Sequence, residues 1–148
     1  MSKGRSKASG EEEKIRDVIN LETKAWNTQD VELLLSIFHC DMVWPWPANN
    51  LDHDPMDWVF VLGKFNYDRW KHFYQEFFQN HTLVHNKRET KKIKLSKERD
   101  AAFAVVDIDT LWNNKSGQPN HWMGRVCKVY VFSGGTWKMT MHTGALQY

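Results

Sequence analysis

The sequence predicts an α+β fold, helices first and a mainly antiparallel sheet after them. Three observations predict it. Apolar residues recur at helical spacing as far as Asn80, and from His81 onward the period changes to two. Ser133-Gly134-Gly135-Thr136 sets consecutive glycines between two alternating segments, the chemistry of a two-residue hairpin. Helical segments followed by a run of strands read as α+β.

The first ten residues are small, polar and Gly/Ser-rich, and are expected to form a disordered tail ahead of a single domain over 11–148. A helix is expected from near Glu11, with Ser9 and Glu12 at capping-box spacing and Glu11–Glu13 at the positive end of the dipole. Its apolar stripe runs Ile15, Val18, Ile19, Ala25 and Trp26. Asp30 can cap a short second helix bearing Val31, Leu34, Leu35 and Phe38 on one face. Met42–Pro47 carries two prolines, which suit an edge strand. Residues 48–65 read as a long loop at a pocket rim. Asn66 can cap a third helix, Tyr67–Asn80, with Trp70, Phe73, Tyr74, Phe77 and Phe78 on one face. Strands follow at about Thr82–Ser96, Ala101–Trp112, His121–Phe132 and Thr136–Ala145, with loop chemistry over 113–120.

Composition bounds the function. In 148 residues, 41% are apolar and 26% charged, and the net charge is only +2. That balance excludes wholesale disorder and gives no argument for nucleic acid or membrane as a partner. Apolar runs such as Trp58–Leu62 are far short of the roughly 18 residues a membrane span needs. Without an apolar stretch behind the basic start, a cytoplasmic location is expected. Cys40 and Cys127 have no companion pair and read as two buried free thiols. Eight Trp, eight Phe and four Tyr stand out, a load that suits a pocket for an organic molecule or a thick core.

Two positions contradict their own apolar faces. Glu22 interrupts the stripe of the first helix, and Lys128 interrupts the strand face Trp122, Gly124, Val126, Tyr130 and Phe132. An unpaired buried charge costs several kcal/mol, so such groups are paired or line a polar cavity. Both readings stand: a structural ion pair, or two charges lining a cavity between helix and sheet. The opposite face of that strand carries His121, Met123, Arg125, Cys127, Val129 and Val131. A hairpin centred on Gly117 would set Asp109 opposite Arg125, with Thr140 and His142 joining from the last strand. This mixed face resembles a subunit interface.

Other features weigh less. Asp52-His53-Asp54 has metal-ligand types but no recognised ligand spacing, and no metal or other cofactor is expected. Lys87–Arg99 carries seven basic and two acidic residues without aromatic platforms, which suits an edge strand guarded against aggregation better than a nucleic-acid strip.

Several strings, in order, carry a resemblance. These are Asn27-Thr-Gln-Asp30, Asp41-Met-Val running to Pro47, Gly63 before the third helix, Asp100-Ala-Ala, and Val129 to Trp137 followed by Met141-His-Thr-Gly144. Over about residues 11–147 the chain resembles the nuclear transport factor 2-like superfamily, with its SnoaL-like cyclases, ketosteroid isomerases and kinase association domains. The resemblance implies a cone: three N-terminal helices on a strongly bent sheet that encloses a pocket, in a homodimer. It also implies that Glu22 falls where ketosteroid isomerases place the oxyanion-hole tyrosine, Lys128 where they place the protonated aspartate, and Trp46 where they place the base. A tryptophan cannot serve as that base, so isomerase chemistry of that kind is not expected.

The expected function is therefore binding of a hydrophobic small molecule, with lyase, cyclase or isomerase chemistry open. Trp26, Trp44, Trp46, Trp112, Trp122 and Tyr130 would form an apolar wall. Glu22 would act as acid or base and Lys128 would hold an anionic oxygen. The alternative is a non-catalytic association module working through the face of Asp109, Arg125, Cys127 and Val129. A protein that binds a ligand without turning it over is a third reading.

Overall fold

A computed structural model describes residues 2–49 and 54–147, with side chains from residue 10 on. Helix α1 spans Ser2–Thr28 and α2 spans Val31–Ser36. Strand β1 (Phe38–Val43) and the short β2 (Trp46–Pro47) lead to a single 3-10 turn at Pro55–Asp57 and to β3 (Trp58–Val59). Helix α3 (Tyr67–Asn80) precedes four long strands: β4 (His81–Leu95), β5 (Ala101–Asn114), β6 (Pro119–Ser133) and β7 (Thr136–His142). The main sheet has the order β1-β7-β6-β5-β4; β1 runs parallel to β7 and every other pair is antiparallel. The α+β expectation holds. No described helix is long and apolar enough to cross a membrane.

The caps act as the sequence predicts. The Asp30 carboxylate accepts from the Leu33 N–H at 3.1 Å, and the Asn66 amide oxygen accepts from the Arg69 N–H at 2.9 Å. The first helix differs. It begins at Ser2, ahead of the start near Glu11 that the capping-box spacing suggests. Lys3, Arg5, Lys7 and Ala8 are good helix formers, and extending a formed helix avoids the cost of a new nucleus. Asp52 and His53 lie outside the described residues, and Asp54 caps the 3-10 turn.

Between the helices and the sheet lies the core, with Ile15, Ile19 and Trp26 of α1 against Val106, Val126 and Met139. Three irregularities set which side chains reach it. The register of β4 slips between Leu83 and His85 and again between Thr90 and Lys92, so Asn86, Arg88, Ile93 and Leu95 face inward. On β7, Thr140 is the extra residue of a bulge: Met139 pairs with Tyr130 but Met141 with Val129. This reverses the parity, so His142 turns into the core and does not join the outer face. The third is Gly124, with φ +141°, where a Cβ would stand 2.3 Å from the Leu146 carbonyl oxygen. That close approach lets residues after β7 run on antiparallel beside β6: the Arg125 N–H donates to Leu146 O at 2.7 Å, and the Leu146 N–H donates back to Arg125 O at 2.9 Å.

Two further expectations are corrected. The β5–β6 hairpin pairs Asn113 with Pro119, which sets Asp107, not Asp109, opposite Arg125. The Asn114 side chain accepts from the N–H groups of Ser116 and Gln118, and this seats the turn one residue earlier than Gly117 alone suggests. The cysteines are free, but Cys40 is exposed on the edge strand and Cys127 is only partly buried. At the other edge stands β4, where Lys87, Lys91, Lys92 and Lys94 lie in a strand flanked on one side only.

Candidate functional site

The bent sheet and α3 enclose a cavity of about 260 Å³. Its wall is aromatic because the i, i+3, i+4, i+7 stripe of α3 delivers Phe73, Tyr74 and Phe77 to it, opposite Trp122 of β6. Trp26 stands at its base and meets Tyr74, Trp44 and Trp122 edge-on, with ring centroids 5.7, 6.2 and 5.6 Å apart. Trp46 and residues 47–49 form one side of the mouth, and Thr143–Ala145 form another. Gly144 is tight there, since a Cβ would lie 2.6 Å from Pro47 Cδ.

Of the expected wall, Trp26, Trp44, Trp46 and Trp122 line the cavity. Trp112 and Tyr130 do not; both are fully buried in the layer behind it. Glu22 and Lys128 do not line it either. They are each 1% exposed and bonded directly, Lys128 Nζ to Glu22 Oε1 at 2.5 Å. The expectation that both face the cavity is therefore corrected: the two apolar stripes that carry them pack against each other, and pairing satisfies both charges at once.

The carboxylate is the hub of a larger network. Its Oε2 accepts from Trp26 Nε1 at 2.9 Å and from Arg88 Nη1 at 3.2 Å, and His142 Nε2 lies 3.9 Å away. Arg88 is anchored in turn. Its Nε donates to Asn86 Oδ1 at 2.7 Å, Thr110 Oγ1 donates to the same oxygen at 2.8 Å, and the guanidinium lies over the Trp26 ring at 5.8 Å. Two cations thus face one carboxylate. Burial alone would raise the Glu22 pKa, but Lys128, Arg88 and His142 outweigh it and bring the carboxyl down to about 2. Lys128 has one opposite charge and one like charge beside it, so burial wins and its ammonium falls to about 8. Burial, with Lys128 next, brings His142 to about 3, so its imidazole is neutral at physiological pH. Its Nδ1 donates to Thr143 O at 2.6 Å, and its ring stacks on Trp44 at 4.1 Å between centroids.

Among the described residues, His142 and Trp26 belong both to the cavity wall and to the charged network. Two other wall residues carry buried polar atoms without a hydrogen-bond partner: Tyr74 Oη and Asn120 Oδ1. Sequence reasoning missed Arg88, His142, Tyr74 and Asn120 as site residues. Only Tyr74 left a usable signal, as the single hydroxyl in the α3 stripe.

No family model matches the chain, and no curated protein matches it. Solved structures do. A ketosteroid isomerase-like protein from Erwinia carotovora atroseptica superposes with a TM-score of 0.68 at 16% identity, covering 89% of this chain and 92% of that one. A protein with a cystatin-like fold from Caulobacter vibrioides gives 0.64 at 19%, covering 92% and 89%. A nuclear transport factor 2-like protein of unknown function from Prochlorococcus marinus gives 0.65 at 13%, covering 93% of each chain. The chain has this fold, as the sequence resemblance implies. Within it, the aromatic cavity fits a pocket for a small ligand.

Proposed function

We propose that the chain binds a compact, ring-containing organic molecule that is mostly apolar and carries a hydroxyl or comparable polar group. One observation carries this reading: Tyr74 Oη and Asn120 Oδ1, a donor and an acceptor, are buried and unpartnered among the residues that wall an aromatic cavity. A buried polar atom without a partner costs about 1–3 kcal/mol; neither atom has accessible surface as the side chains stand, and a turn of either toward the cavity lets a ligand hydroxyl supply the missing partner. The volume of about 260 Å³ is just below the roughly 300 Å³ at which pockets for drug-sized ligands begin, which favours one or two fused rings. The likeness to a ketosteroid isomerase-like protein supports a small-molecule pocket without naming the ligand.

Calorimetric titration with 1-naphthol and with naphthalene tests this. The wild type should favour the phenol, and Asn120→Leu should reduce that preference by about fivefold, the share of one hydrogen bond. Equal affinity for both compounds in the wild type would remove the reading. Chemistry on the ligand, if the protein performs any, falls first to His142, which reaches both the cavity and Glu22. Glu22 and Lys128 then act from behind the wall, through Trp26 and His142, as positioning residues.

The outer sheet face supports self-association as a homodimer. Arg125 and Asp107 form a two-pronged pair there at 2.7 and 3.0 Å, among half-buried Val105, Val129 and Val131 and exposed Met123. Asp109 and Cys127 lie on the same face. Sedimentation at micromolar concentration should give twice the 17.5 kDa chain mass, and Val129→Glu should shift it to the monomer. A wild type that sediments only as a monomer would refute the pairing.

A further inference from the structure

Apart from the cavity, one cluster brings together ligating atoms that sequence spacing does not advertise. His85 on β4 and His121 on β6 both stand opposite Leu111 of the intervening strand, and both rings reach across to the same carboxylate two residues away. Asp109 Oδ1 lies 2.8 Å from His85 Nε2 and 2.6 Å from His121 Nε2. One ligating atom from each of the three lies within 4.8 Å of the others. The geometry points to a site for a divalent transition-metal ion, zinc being the best match, held by His85, Asp109 and His121 on the outer face of the sheet.

Chemistry and position agree on this. Two imidazoles and one carboxylate, leaving an open fourth position, are a recognised donor set for zinc. Ligands 2.0–2.1 Å from a tetrahedral ion stand about 3.3 Å apart, so the His85 ring, at 2.8 Å, need withdraw from the carboxylate by about 0.5 Å and the His121 ring, at 2.6 Å, by about 0.7 Å. At present each Nε2 carries a proton toward Asp109. On binding, the protons shift through water to Nδ1, which frees both Nε2 lone pairs for the ion. Those Nδ1 positions have room for a solvent partner, because the side chains are 32% and 42% exposed. Lys87 pairs with Asp109 across β4 and sets a like charge near the ion, but it is exposed and water screens it. His121 also lines the cavity, so one ligand residue adjoins it. Among the described residues a second compact group, His39-Cys40-Asp41, is made of three consecutive residues, and Lys64 already holds Asp41 at 2.8 Å.

The test uses the full chain without a polyhistidine tag, treated with chelator and then desalted. Zinc chloride titrated calorimetrically should bind at one ion per chain. His85→Ala, His121→Ala and Asp109→Asn should each weaken binding by more than about tenfold. All three side chains are partly exposed, so the variants should keep the wild-type circular dichroism, and Asp109→Asn preserves shape while removing charge. Cobalt(II) supplies an independent reading: visible bands of a nitrogen- and oxygen-ligated ion are expected, without the near-ultraviolet thiolate band that Cys40 would add. The ligands come from one chain, so the stoichiometry is read per chain in any oligomeric state. Failure to bind zinc at 100 µM overturns the proposal, as does unchanged affinity in the His85→Ala, His121→Ala double variant or a thiolate band with cobalt. None of these results bears on whether naphthol enters the cavity.

Discussion

Glu22→Gln is expected to destabilise the protein by about 3–5 kcal/mol, because it leaves two buried cations, Lys128 and Arg88, without their shared counter-charge. The shape is unchanged and Gln can still accept from Trp26 Nε1, so the loss is electrostatic and not one of packing. Lys128→Met should cost distinctly less. Removing the ammonium leaves Glu22 paired with Arg88 and puts an apolar chain of similar length into an apolar layer. Urea denaturation of the two variants, read as a midpoint shift at unchanged slope, checks the order. A larger loss for Lys128→Met would mean that Arg88 does not share the carboxylate.

The second large effect is one of pH. Unfolded, His142 takes a proton near 6.5; folded, it resists until about 3. Below pH 6.5 the unfolded state therefore binds more protons, and stability falls as the pH is lowered toward 3. Glu22 adds a second loss. Its unfolded carboxyl is protonated near 4.5 and its folded one only near 2, so the stability it contributes is complete above 4.5 and declines between 4.5 and 2. The urea midpoint should thus fall in two stages, the first from about pH 6.5. His142→Phe keeps a flat ring against Trp44 and should abolish the first stage while sparing the second. A wild-type midpoint that is level from pH 7 to 5 would contradict the buried neutral imidazole.

The parts that were legible in the sequence are those set by local chemistry. Asp30 and Asn66 cap where their spacing says, the α3 stripe faces inward, and Gly134 and Gly135 take the positive φ that a tight hairpin needs. Glu22 and Lys128 were found because each breaks a strict pattern, and the structure joins them. What stayed hidden depends on register. Arg88 sits among seven basic residues, and only the slip after Leu83 turns it inward while Lys87 stays outside. His142 was assigned to the wrong face because the one extra residue at Thr140 reverses a two-residue period. The His85–Asp109–His121 grouping needs three strands in their true alignment, and a hairpin seated one residue too late would have separated them.

The strap after β7 has a consequence of its own. Thr143, Gly144 and Ala145 wall the cavity without belonging to a strand of the main sheet, held by backbone bonds at Cys127 and Arg125. The Thr143 hydroxyl ties the strap to β6 through the Cys127 backbone, at 2.8 Å from its N–H, whereas a new side chain on a strand disturbs its neighbours on both flanks. Gly144 is barred from growing by Pro47 and Trp46, whereas Ala145 already carries a side chain, half-buried in the cavity wall. Position 145 is therefore where the range of accepted ligands can drift at least cost to the scaffold: each added methylene narrows the mouth and leaves every ladder intact. Diversification of a binding repertoire on this chain would begin at the strap, long before it reached the tryptophans.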